Sequence, residues 1–209
     1  MGKIFNYDSK FFAGMTKVSD TIIINILFVI CSIPIVTIGA SITALYSVSM
    51  KITRDEEIYA AKEFIKQFKQ NFKQSTIIWI ILLLIGLFIG LDFYLCSLMS
   101  DNTISMIFKF IFTIVSVVLS FILIYVFPLT ARFENSIKNT LTNSIFMSIQ
   151  HLPYTLLMSV LAFAPIVSFI LFSQYWGQIV FFNTCISFGF IAYMNSILLN
   201  KIFSKYIQE

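Results

Sequence analysis

Charge is what this chain has least of. Of its 209 residues only 11% are Asp, Glu, Lys or Arg, against 58% hydrophobic. Soluble domains carry about 25% charged residues to cover their surface. A soluble globule, a disordered chain and a nucleic-acid binder are therefore excluded. Histidine is nearly absent: His151 stands alone, just before Pro153 at a helix entrance, and one imidazole builds no metal site. Interfacial packing is the expected role for it. The three cysteines, Cys31, Cys96 and Cys185, lie isolated in apolar segments without a C-x-x-C pair, and read as small core residues. Seven glycines leave no Gly-rich phosphate loop, and there is no nucleophile elbow. Nothing in this inventory points to an enzyme, a cofactor or a metal.

What the chain does have is long apolar runs. They fall near 21–45, 76–98, 104–131, 154–172 and 179–200, each close to the ~20 residues a spanning helix needs. They are too long and too uniformly apolar for barrel strands, which alternate over ~10 residues. The fold class expected is an all-α, polytopic membrane protein of about five transmembrane helices, forming one domain over 1–209. The first span is expected to be broken near Pro34 and loosened by Gly39. A short interfacial helix is expected over 8–20, capped by Asp8 or Ser9, with Phe11, Met15 and Val18 on one face.

The basic residues give a topology. Lys51, Arg54, Lys62, Lys66, Lys69 and Lys73 precede the second span, Arg132 and Lys138 follow the third, and Lys201 and Lys205 follow the last. The connections near 99–103 and 173–178 carry none. The positive-inside rule puts the basic regions, and hence the C-terminus, in the cytoplasm of a multi-pass protein of the cell membrane. Five passes put Lys3, Lys10 and Lys17 outside, against the rule. The alternative is a re-entrant hairpin over 21–46, bent at Pro34, with the N-terminus inside.

Two amphipathic cytoplasmic helices are expected, over 53–75 and 134–152. The first has a T-x-x-E capping box at Thr53 and Glu56. It carries Phe64, Ile65, Phe68 and Phe72 on one face, with Lys62, Lys66, Lys69 and Lys73 along its edge as candidate contacts to lipid phosphates or to a partner. An offset of 79 residues aligns Tyr46 with Tyr125 and suggests two parallel units plus a fifth helix. Inside the spans only Asp92 and Lys109 are charged, a candidate intramembrane polar pair. Asn25, Asn183 and Asn195 are candidates for hydrogen bonds between helices.

Several stretches together resemble one family: Asn6-Tyr7-Asp8-Ser9-Lys10-Phe11-Phe12, Cys31-Ser32-Ile33-Pro34-Ile35-Val36-Thr37-Ile38-Gly39-Ala40-Ser41, Phe68-Lys69-Gln70-Asn71-Phe72-Lys73-Gln74, Arg132-Phe133-Glu134-Asn135 and His151-Leu152-Pro153. They resemble the YesL-like family of bacterial integral membrane proteins, a domain of unknown function. Its members are often encoded beside carbohydrate ABC transporters, sugar-sensing two-component systems and glycan-degrading enzymes. The resemblance implies a role in carbohydrate uptake or sensing, with ABC transporter subunits or a sensor kinase as partners besides the bilayer. It carries over no catalytic residue. A transporter or permease-like subunit moving a small solute is the alternative.

Overall fold

A computed structural model describes residues 10–99 and 102–207. The caps expected at Asp8 and Ser9 lie outside them. The elements among the described residues are all helical: α1 (Lys10–Cys31), α2 (Ile38–Thr53), α3 (Ala60–Leu98), α4 (Asn102–Arg132), α5 (Ile137–Gln150), α6 (Leu152–Leu171), α7 (Trp176–Phe182) and α8 (Phe188–Ile207), with a π turn over Asn183–Ser187 joining the last two. Among the described residues, six helical segments are long and apolar enough to cross a membrane: 11–31, 35–53, 60–98, 103–132, 152–171 and 176–206.

The five expected spans thus correspond to six candidates. Residues 21–45 are shared between two helices, and α1 begins early enough to absorb the interfacial helix expected over 8–20. Phe11, Met15 and Val18 are exposed, and the same outward face continues through Ile22, Ile26 and Ile30. Between the helices, Pro34 offers no donor to the Ile30 carbonyl, which accepts from the Ile33 N–H at 3.3 Å, and the Thr37 hydroxyl donates to the Cys31 carbonyl at 2.6 Å.

A second difference concerns residues 53–75. Thr53 does not open a helix; it closes α2, donating its hydroxyl back to Ser49 and Met50 carbonyls. Asp55 sits at φ 58°, the left-handed position of a helix C-terminus. The Asp55 N–H reaches the Ile52 carbonyl and the Glu56 N–H reaches Lys51, which is the paired bonding of a Schellman motif. The expected surface helix is the first half of α3, which runs on without interruption for 39 residues. At 1.5 Å per residue α3 is about 58 Å long, roughly twice the ~30 Å hydrocarbon layer. The other expected amphipathic helix, 134–152, is a separate element, α5, started by the Ser136 hydroxyl accepting from the Asn139 N–H. His151 and Pro153 then turn the chain into α6. The proposed repeat units therefore join their connecting helices differently.

α2 is the central helix. Gly39, Ala40, Ser41, Thr43, Ala44, Ser47 and Ser49 are all buried, and side chains this small let neighbouring helices approach closely. A Cβ on Gly39 would stand 2.5 Å from the Trp79 Cβ and 2.6 Å from the Ser75 carbonyl. α2 runs antiparallel along the first half of α3: Ile35 before it accepts from the Trp79 indole at 2.8 Å, Thr43 shares a hydrogen bond with Ser75 at 2.8 Å, and Lys51 binds Glu63 at 2.6 Å. Phe64, expected on the apolar face of the amphipathic helix, is fully buried there with Ala44, Leu45, Val48 and Ile52. α8 closes the other side, with Met50 packed among Leu199, Ile202 and Phe203.

Candidate functional site

The antiparallel order brings the N-terminal part of α1, the α2–α3 connection, the α4–α5 connection, α5 and the end of α8 to one end of the molecule. This end collects nearly all the basic residues among those described. Lys17 pairs with Asp55 at 2.6 Å, and Arg54 pairs with Glu56 at 2.7 Å. Arg54 also donates to Asn200 Oδ1 at 2.8 Å, while Asn200 Nδ2 donates to the Met50 carbonyl and the Thr53 hydroxyl. These bonds fix the 54–59 connection against α1 and α8.

Lys62, Lys66, Lys69 and Lys73 project from this end in one exposed file on α3. Spacing of four, three and four residues keeps them on one helix face. The same face continues with Ile80, Leu84, Leu87 and Leu91, all exposed. The outward stripe changes from ammonium groups to aliphatic chains between Lys73 and Ile80. Ile65 and Phe72 are exposed beside the lysines, whereas Gln74 is turned inward and donates to the Asn135 carbonyl at 2.8 Å.

α5 lies at the same end. Thr140, Ser144, Met147 and Ser148 are buried, while Ile145, Phe146 and Ile149 are exposed. Phe146 and Ile149 are 65% and 61% accessible, so α5 presents apolar groups that nothing among the described residues covers. At its end, His151 Nε2 is 3.0 Å from the Tyr206 hydroxyl, which donates to Gln150 Oε1 at 2.8 Å. Partial burial pulls the imidazole pKa below its usual value, with the Lys205 charge adding to this.

Pro34 and Gly39 are not gathered with these groups. Pro34 lies in the α1–α2 link, and Gly39 serves the contact of α2 with α3. Asp92 and Lys109, on α3 and α4, form no ion pair with each other, and Asp92 Oδ2 is buried without a hydrogen-bond partner. Asn195 Nδ2 bonds the Tyr46 hydroxyl at 3.2 Å, and Asn25 bonds the α7–α8 segment. The Arg54–Asn200 bond joins residues 146 apart and has no local sequence signal. No group of three or more His, Cys, Asp or Glu able to hold a metal occurs among the described residues.

In the bundle, α1, α2, α3, α4, α6 and α8 line a half-open central cavity of about 430 Å³. Its walls are aromatic and aliphatic, with Tyr46 and Ser120 supplying the hydroxyls and no carboxylate, ammonium or guanidinium group lining it.

These features define an all-helical bundle with helices of membrane-crossing length, a basic, partly apolar end and an apolar centre. Residues 21–93 match the model of a family described as "Protein of unknown function, DUF624", a stretch that runs from within α1 through most of α3. No curated protein and no solved structure matches the chain.

Proposed function

We propose that the protein is an accessory or regulatory membrane component of carbohydrate uptake or sensing, acting beside a sugar ABC transporter or a sensor kinase. The resemblance to the YesL-like family suggests the setting. The observation that carries the reading is the exposed apolar pair Phe146 and Ile149 on α5, at the same end of the molecule as the file of four exposed lysines on α3. Apolar anchors with charge at their margin are what a partner surface requires. The positive-inside rule assigns this end to the cytoplasm. With six passes both termini share that side, and Lys17 joins the other basic residues there instead of opposing them.

A permease reading has less support. A path for a sugar needs polar partners through the bilayer, and the central cavity is walled by hydrocarbon. Affinity purification of the full chain from its native membrane tests the proposal. Recovery of a transporter subunit or sensor kinase supports it. Solute flux by the chain alone in proteoliposomes contradicts it.

A further inference from the structure

The central cavity has chemistry of its own. Six aromatic side chains wall it: Phe28, Tyr46, Trp79, Phe127, Phe163 and Phe188. Its volume of about 430 Å³ falls in the roughly 300–1,000 Å³ range of ligand pockets. The polar groups on its wall are nearly all engaged. Ser120 donates to the Ser116 carbonyl at 2.8 Å, and the Trp79 indole N–H donates to Ile35. Tyr46 differs: its hydroxyl meets only the Asn195 side-chain amide, at 3.2 Å, and the Nδ2 group faces it. Asn195 is completely buried, and its Oδ1 has no partner. The Tyr46–Asn195 pair therefore keeps an unmet hydrogen-bonding group beside an apolar wall.

We propose that this cavity holds one hydrocarbon chain of a membrane lipid, with the Tyr46 hydroxyl donating to a neutral oxygen carried by that lipid. A sugar would lose its hydration and regain almost no hydrogen bonds there, at a cost of several kcal/mol per unpaired group. A carboxylate would be buried without a cation. A lipid chain satisfies both constraints, and the surrounding bilayer supplies it at high concentration. The site is separate from the docking end and stands or falls without it.

Trp79 reports on the cavity. The chain has two tryptophans, so Trp176→Phe leaves Trp79 as the single emitter. In bilayers of phospholipid brominated along the acyl chain, Trp79 emission is expected to be strongly quenched. Adding Ala162→Phe, which fills the cavity from α6, is expected to restore most of that emission. Native mass spectrometry of the detergent-purified Trp176→Phe chain is expected to find one retained lipid, reduced by Tyr46→Phe and lost with Ala162→Phe. Quenching unchanged by Ala162→Phe means that chains reach Trp79 only from outside, and overturns the proposal. So does a purified chain that retains no lipid, a measurement that stands even where the filled variant does not fold.

Discussion

Asn25 completes a hydrogen-bond ladder that belongs to another helix, through its contact with Gly189. Its Oδ1 accepts the Gly189 N–H at 2.8 Å, and its Nδ2 donates to the Thr184 carbonyl at 2.7 Å. These two backbone groups lie five residues apart across the π turn, and the amide stands between them. The approach requires glycine: a Cβ at 189 would be 2.7 Å from the Thr21 carbonyl and 2.8 Å from the Asn25 Cβ. Asn25→Leu leaves a donor and an acceptor unpaired inside the bundle, each worth about 1–3 kcal/mol. A clear drop in the thermal unfolding midpoint in detergent is expected for Asn25→Leu and for Gly189→Ala. An unchanged midpoint in both contradicts the contact.

Gly39→Ala tests the α2–α3 seam. The added methyl overlaps the Trp79 side chain and the Ser75 backbone, and overpacking of this kind costs about 1–3 kcal/mol. The shift also stretches the Thr43–Ser75 hydrogen bond. Cysteines placed at 43 and 75 are expected to cross-link readily in the parent chain and poorly with Gly39→Ala.

The lysine file tests docking. Replacing Lys62, Lys66, Lys69 and Lys73 together by glutamine is expected to weaken partner recovery while leaving membrane insertion intact. Raising salt should weaken recovery of the parent chain in the same direction, because exposed charges are screened over about 8–10 Å at 0.1–0.15 M. Recovery that is indifferent to both changes removes the lysines from the interface.

His151 gives a pH dependence of known sign. Its folded pKa lies below the ordinary 6.5, so the unfolded chain takes up this proton first as pH falls. Stability attributable to His151 is therefore lost as pH drops from 6.5 through the folded pKa, and it is unaffected above both values. Thermal midpoints between pH 7 and 5 should fall more steeply for the parent chain than for His151→Gln.

Reporters fused at residues 1 and 209 are both expected to read cytoplasmic. A reporter at residue 1 that reads external restores the odd number of passes.

Much of this was legible in the residues. Charge scarcity and run length give the helical class, and the lysines at 62, 66, 69 and 73 share a face because of their spacing. The helix boundaries were harder. The T-x-x-E pattern of Thr53 and Glu56 suits a helix start, yet the same four residues hold a C-terminal Schellman turn once Asp55 adopts φ 58°. Residue types cannot separate these, because an Asp side chain tolerates the left-handed region. Lysine periodicity likewise gives no sign that 53–75 and 76–98 share one helix. Phe64 counts equally as a lipid anchor or a core residue until α2 lies beside it. The burial of α2 itself was hidden by its hydropathy, which looks the same whether a helix faces lipid or protein.

The most direct measurement is photo-crosslinking from position 146 on α5, in native membranes, with the full chain carrying a photoreactive residue in place of Phe146. The account predicts a specific adduct with a sugar-transporter subunit or a sensor kinase, lost when Ile149 is changed to Asp. Adducts with lipid alone, unchanged by Ile149→Asp, contradict it.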